Sequence, residues 1–449
     1  MAKALKRITM SVERGHAGVA GSSGIAVLIA FLVVAPHVSV GPLFPPPYKT
    51  DQADEIHELW SANIDPPLRA KIQSSDQAYT IGQELIVPLH AAFRLRDDAW
   101  ERSFSNHFSR LVSDPSVLPT VVLSRLEYLY LASQFVVLAR ENERQDLIPP
   151  GLPEMLFAEV SKYWRTESAW QWGQNPFPGG IRERILWKLS HRKTGKSYYR
   201  AMVDDDLFLL AMAADLKAYR GTPEQMQRWS STLDEILAIA FKVYSEEGVF
   251  QPGGGWLFQP GVWADHPEYQ YVGNPAIHPG MSPAPVRGIA ADSSHSMRFA
   301  AWLTSFVQAY PPGSDTQRFY AGLREGLEKQ FFEKVLIQPS GDRPCYLLNN
   351  FMDGSNGVYR WNYSSVGSGN GYGPYELSGS FLLGWWSLLD TQRIREVYAE
   401  SAKKFPWPHE CLDFYLGPAT TGSHPTASYD PQSPTMRLWH TLVMLASEH

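Results

Sequence analysis

The chain is poor in the features that mark several large protein classes. Only two cysteines, Cys345 and Cys411, occur in 449 residues, which excludes a disulfide-dense scaffold and a cysteine-based zinc framework. A bond between them and two separate core thiols both stay open, because spacing along the chain does not give their distance. Charged residues make up 19% and the net charge is −6, with no Lys/Arg block beyond the first residues, so nucleic acid is not an expected partner. There is no phosphate loop, no nucleotide-binding glycine fingerprint and no Gly-x-Ser-x-Gly elbow. His266 and His278 lie twelve apart without a His-Glu-x-x-His motif, so no metal or other cofactor is expected; calcium on loop carboxylates and carbonyls stays open. Strand-like alternation is scarce, and no fixed-period repeat or heptad run occurs.

What is abundant is aromatic. Phe, Trp and Tyr make up 13% of the chain, including 15 Trp and 21 Tyr. Many lie inside Gly/Pro-rich loops, where stacking on sugar rings explains them better than core filling does. At the N-terminus, Lys3, Lys6, Arg7 and Arg14 precede the apolar run Ile25 to Ala35. Eleven apolar residues are too few for an ordinary spanning helix, and the pattern fits a secretory signal. A single uncleaved membrane anchor through residues 25–35 is the runner-up. A proline-rich spacer, Gly41 to Pro47, follows. The expected organisation is thus a signal-like or anchor segment with spacer over 1–50 and one domain over 51–449, secreted or periplasmic.

From about Asp51 to Ser245 apolar residues recur at three- and four-residue spacing. The pattern predicts helices over Leu118–Glu141, Pro150–Trp164, Ile181–Leu189, Asp204–Tyr219 and Pro223–Tyr244. Thr222-Pro223-Glu224 is a helix start, with a cap, a proline and an acid in the first turn. Helices resume over Ser293–Tyr310, Asp315–Val335, Glu376–Leu389, Thr391–Lys404 and Ser433–Ser447. Short connections between them predict a mainly α fold, an (α/α) toroid or incomplete barrel of helical hairpins with its long aromatic loops on one face. Three connections are long and aromatic: Glu167–Gly180, Gly248–Ala291 and Asn349–Tyr375. Long structureless connections inside a compact domain are usually functional.

The second of these loops ends at Asp292-Ser293-Ser294-His295-Ser296-Met297-Arg298, which opens an apolar helix. A carboxylate, hydroxyls, an imidazole and a guanidinium at a helix start suit acid–base chemistry on an anionic substrate. The same loop carries Trp256, Trp263, His266, Tyr269, Tyr271 and His278. In the first loop Trp170, Gln171, Trp172 and Asn175 precede Arg182. The third brings Tyr359, Arg360, Trp361, Asn362 and Tyr363 between Asp-Gly and Asn-Gly turns, and ends at Glu376.

The first of these segments, Trp170-Gln-Trp172-Gly-Gln-Asn175 through Arg182, resembles the Asn-Trp-Trp segment of the (α/α)-toroid polysaccharide lyases that act on chondroitin, hyaluronate and xanthan. The order differs, since the asparagine follows the tryptophan pair here. The resemblance implies that Asn175, or failing that Gln171, neutralises a substrate carboxylate, with Trp170 and Trp172 as an aromatic patch. Glu247-Gly-Val-Phe250-Gln251 is similar to the segment holding the lyase histidine, with Pro252 where the histidine is expected. Asp292-Ser293-Ser294-His295 supplies another histidine and is similar to the Asp-x-Ser-His motif of toroidal enzymes that process uronate polysaccharides, glucuronyl epimerases among them.

The expectation is an exported enzyme that cleaves or modifies an acidic, uronate-containing polysaccharide or oligosaccharide by proton abstraction and β-elimination. Its catalytic residues would be His295 as base, Tyr359 or Tyr363 as phenolic acid, and Arg298, Asn175 and Asp292. Trp170, Trp172, Arg182, Trp256, Trp263, Tyr271, Arg360, Trp361 and Glu376 would bind substrate. Two other classes stay in play. A glycoside hydrolase on the same scaffold would use paired carboxylates among Asp292, Asp353, Glu376 and Asp204–Asp206. A non-catalytic glycan-binding or assembly protein would need the aromatics but not His295. The run Asp204-Asp205-Asp206 also resembles the aspartates of helical terpene synthases, but a helix start complementing its dipole accounts for it better.

Overall fold

The computed structural model describes residues 50–418 and 429–448. The apolar run at residues 25–35 and the spacer at 41–47 lie outside the described residues. The described chain is mainly α-helical. In order, it forms α1 (Thr50–Asn63), α2 (Asp65–Arg69), α3 (Ser75–Glu84), α4 (Ile86–Leu95), α5 (Asp98–Ser113), α6 (Val122–Glu141) and α7 (Leu152–Arg165). The hairpin β1 (Ala169–Gln171) and β2 (Gln174–Phe177) follows, then α8 (Gly180–Ser190), α9 (Asp204–Tyr219) and α10 (Pro223–Glu247). Next come β3 (Gly248–Phe250), β4 (Trp256–Phe258), α11 (Ser293–Ser296), α12 (Phe299–Ala309) and α13 (Asp315–Gln330). The pair β5 (Leu336–Ile337) and β6 (Leu347–Leu348) precedes α14 (Gln392–Ala402), α15 (His409–Leu416) and α16 (Pro434–Ser447). Each strand pair is an isolated antiparallel ribbon.

The helix starts follow from local chemistry. The Asp97 side chain accepts from the backbone N–H of Ala99 and Trp100 to open α5. Thr222 and Gln225 cap each other's backbone N–H groups at α10, with Pro223 in the first turn. Asp206 accepts from Val203 N at 3.0 Å at the start of α9.

The central helices are apolar around their full circumference because they are covered on all sides. Helix α6 packs against α3, α4 and α9, and α9 in turn against α7, α10 and α12. Among the described residues α6 is the one helix long and apolar enough to cross a membrane, and 78% of that stretch is buried. Large aromatics fill the contacts between helices. Trp60 stacks on Trp100 with centroids 3.9 Å apart, and Phe208 meets Trp302 edge-on at 5.0 Å. Burying each such side chain is worth roughly 1.5–3 kcal/mol.

Two expected helices are built differently. Ser293–Tyr310 is divided into α11 and α12 at Met297 and Arg298, and Glu376–Leu389 forms two 3₁₀ turns separated by Gly384 in the left-handed region (φ 82°). Cys345 and Cys411 form a disulfide with a Cα–Cα distance of 6.0 Å, joining the segment before β6 to α15. The starts of α6, α9 and α11 line one common cavity, so these helices begin at the same end of the bundle.

Candidate active site

The three long aromatic loops meet at that end. The second and third are laced by backbone hydrogen bonds: Arg360 N to Glu268 O at 3.0 Å, Val358 N to Asn274 O at 3.1 Å, and Met352 N to Ala291 O at 3.0 Å. Contact is so close at Gly357 that a Cβ there would stand 1.6 Å from the Val272 carbonyl oxygen. The first loop joins through aromatic edges. Trp172, just beyond β1, meets Trp263 at 5.9 Å and His266 at 5.2 Å. Together the loops enclose a cavity of about 450 Å³.

At its centre is a His–Asp pair. Asp292 caps α11 by accepting from His295 N at 3.0 Å, and the same carboxylate holds His295 Nδ1 at 2.8 and 3.0 Å. This three-residue spacing at a helix start puts the imidazole beside its orienting carboxylate. Nδ1 is thereby occupied, and Nε2 makes no hydrogen bond within the described residues. The imidazole is 34% exposed and lines the cavity. Burial alone would favour the neutral ring, but the Asp292 carboxylate outweighs it and raises the His295 pKa above its ordinary value. Burial likewise opposes charge on Asp292, yet His295 and the hydroxyl of Ser294 hold it far below the usual carboxylate range.

Asp292 is also tied to the third loop. Tyr269 donates to its Oδ2 at 3.0 Å, and Tyr359 donates to Glu268 at 2.7 Å and to Asp292 at 3.3 Å. Glu268 pairs with Arg360 Nε at 3.1 Å. Burial works against the Glu268 charge, but the Arg360 guanidinium holds its pKa below the ordinary value. Burial next to two carboxylates pushes the Tyr359 phenol well up, so it stays protonated. The Nη groups of Arg360 make no hydrogen bond within the described residues.

A further part of the lining is built from the start of α9. Asp204 accepts from Arg298 at 2.6 Å, and Asp205 from Arg184 at 2.9 Å. Arg184 also binds the Trp170 carbonyl at 2.7 Å, which fixes the β1–β2 hairpin over the cavity. Trp170 itself is 52% exposed at the rim and meets Trp172 edge-on at 5.3 Å.

Of the residues expected from sequence, Trp170, Gln171, Trp172, Trp263, Asp292, His295, Tyr359 and Arg360 line the cavity, as do Asp204 and Asp205, weighed as hydrolase carboxylates. Several others lie elsewhere. Arg298 is a correction: it is 1% exposed, turned inward on Glu127, Asp204 and Tyr79, and therefore holds the wall from behind. Arg182 pairs with Glu235 on the flank of α10 at 2.7 Å. Trp256 is buried between Tyr244 and Phe299. Trp361 packs with Met281 and Val358, with Tyr271 against them. Tyr363 lies beneath the Arg360 guanidinium, 6.3 Å from the His266 ring. Glu376 accepts from Gly373 N at 2.6 Å and Asp353 from Ser355 N at 2.9 Å, so both close turns. Asn175 lies on β2, and its side chain is outside those described.

Sequence reasoning passed over Glu268 and expected the opposite hydrogen-bonding role of Gln171. Glu268 sits with Asp265 among Trp263, His266 and Tyr269, and carboxylates in so aromatic a stretch were the available signal. Gln171, weighed only as a carboxylate-neutralising amide, has turned its Nε2 to the Ala201 carbonyl at 3.2 Å and the Tyr198 carbonyl at 3.5 Å. Among the described residues no group of three or more His, Cys, Asp or Glu side chains is placed to hold a metal ion.

Comparison of the chain with protein-family models, with curated proteins and with solved structures returned no match.

Proposed function

We propose that the helical hairpins close as an (α/α) toroid and that the chain is an exported carbohydrate-active enzyme that breaks or remodels an acidic polysaccharide by abstracting a proton beside a uronate carboxylate. The observation that carries this reading is His295, oriented through Nδ1 by Asp292, with Nε2 unpartnered on a cavity wall that also bears the open Nη groups of Arg360. The uronate carboxylate docks on Arg360, where the charge of an enolate-like intermediate develops. His295 Nε2 takes the proton from the carbon next to the carboxylate. The electron pair forms the new carbon–carbon double bond and expels the glycosidic oxygen, which takes a proton from the Tyr359 phenol. Trp170 supplies a stacking face for the sugar chain at the rim. Export rests on the basic and apolar N-terminus, and the Cys345–Cys411 bond fits an oxidising compartment.

Glycoside hydrolysis is the second reading, favoured by the carboxylates Asp204, Asp205, Glu268 and Asp292 on the same cavity. A panel of uronate-containing glycans separates the two. Elimination releases unsaturated, ultraviolet-absorbing products, hydrolysis releases reducing ends without them, and a pure binding protein releases neither. New reducing ends lacking ultraviolet absorbance would sink the proton-abstraction reading.

A further inference from the structure

The part of the lining at the start of α9 and in β1 differs in kind from Arg360, because the groups it has left unpaired are acceptors. Gln171 is fully buried and lines the cavity. Its Nε2 is committed to two backbone carbonyls, which fixes the amide's orientation and leaves Oε1 without a partner. A buried acceptor without a donor is costly, so one supplied by a ligand is favoured there. Beside it, Asp204 and Asp205 are 21% and 18% exposed. Arg298 holds one oxygen of Asp204 and Arg184 one oxygen of Asp205, and the second oxygen of each accepts nothing from the described residues. The forward-facing donors of both arginines are taken: Arg184 by Asp205, Asp206 and the Trp170 carbonyl, and Arg298 by Asp204, Glu127 and Tyr79.

We infer that Gln171, Asp204 and Asp205 form a subsite for the hydroxyl groups of a neutral sugar next to the uronate, and that this subsite rejects sulfated residues. The inference rests on the saccharide reading of the same cavity. Three acceptors lining one cavity call for a ligand that brings donors. An ammonium group fits less well than hydroxyls, because Arg184, Arg298 and Lys188 already offset most of the charge on Asp204, Asp205, Asp206 and Glu127. A sulfate there would face carboxylate oxygens and an amide oxygen, and the guanidinium Nη donors of Arg184 and Arg298 beside them are already taken, so charge and hydrogen bonding both disfavour it. Trp170 at the rim offers the apolar face of the same sugar a surface to stack on. The substrate class is therefore a polysaccharide in which a uronate adjoins a neutral, unsulfated sugar.

Binding tests this without relying on turnover. The full chain is titrated, with tryptophan fluorescence as readout, against a neutral hexose tetrasaccharide, its O-sulfated form and its amino-sugar counterpart. The neutral form should bind, the sulfated form at least about tenfold more weakly, and the amino form no more tightly than the neutral one. Gln171→Leu should weaken the neutral ligand by about fivefold or more, and Asp205→Asn should shrink the gap between neutral and sulfated forms while leaving thermal unfolding near wild type. Equal or tighter binding of the sulfated form, tightest binding of the amino form, or no binding of the neutral one overturns the assignment. Failure of His295 as the base would appear in turnover alone and leave these affinities unchanged.

Discussion

Two buried aspartates show what separates the cavity end of the bundle from its core. Asp292 sits at the cavity, and Asp215 sits in α9 at the centre of the helices; each is at most 2% exposed. Asp215 accepts from Ser133 at 2.5 Å and from Gln134 at 2.8 Å, and Gln134 reaches on to Ser305. All of these donors are neutral. Burial therefore dominates and pushes the Asp215 pKa up to about 7. Asp292 is as deep, yet it is held far below the carboxylate range, because an imidazole that can become charged, a helix N-terminus and hydroxyls all face it. Neutral hydrogen bonds make a buried carboxylate tolerable. A cation keeps it ionised, and an ionised carboxylate both orients the imidazole beside it and raises its pKa.

The contrast can be broken at its strongest point first. Replacing His295 by Ala removes the base, and turnover on a responsive uronate glycan should fall by about 10³-fold while affinity is largely spared. Steady-state kinetics beside direct binding measures both, and unaltered turnover rules out the assignment. Asp292→Asn should cost about 10²-fold in kcat/KM. It also has a signature that a packing defect lacks. In the wild type the base must lose its proton, so kcat/KM rises with pH through a value above 6.5. Without the carboxylate, burial is no longer outweighed and the inflection should move to lower pH. An unchanged inflection defeats the role given to Asp292.

Asp215 should respond in stability and leave activity alone. Its folded pKa lies above the unfolded one, so the native state binds the extra proton between about pH 4 and 7 and stability falls as pH rises through that window. The difference between wild type and Asp215→Asn in urea unfolding should therefore shift by roughly 3–4 kcal/mol from pH 4 to above pH 7, in favour of the variant at high pH. A flat difference denies that this carboxylate resists ionisation. The smallest expected change is at the rim: Trp170→Ala should raise KM about tenfold, or ~1.4 kcal/mol, and leave kcat in place. A kcat loss without a KM change would move Trp170 from binding to chemistry.

Much of the scaffold was legible because its causes are local. Capping residues at Thr222 and Asp292, apolar periodicity in α9 and α10, and Gly/Pro-rich aromatic stretches between helices all act within a few residues. The His295–Asp292 pair was legible for the same reason, being a contact between positions three apart at a helix start. Arg298 was not. Its partners Glu127 and Asp204 lie 171 and 94 positions away, and nothing beside Arg298 in the chain distinguishes a guanidinium turned to substrate from one locked behind the wall. Gln171 was misjudged for a related reason: whether an amide offers its N–H or its carbonyl depends on which backbone groups arrive next to it.

What the amino-acid order determined alone is therefore the set of helices, their starts, the aromatic loops between them and the imidazole with its own carboxylate. Only tertiary structure decided which polar groups face the cavity and which are consumed in holding it together. The physical reason is that a buried charge or amide must find a partner. For Arg298, Glu268 and Gln171 that partner comes from a remote segment, and the groups left without one are those the cavity presents to a ligand.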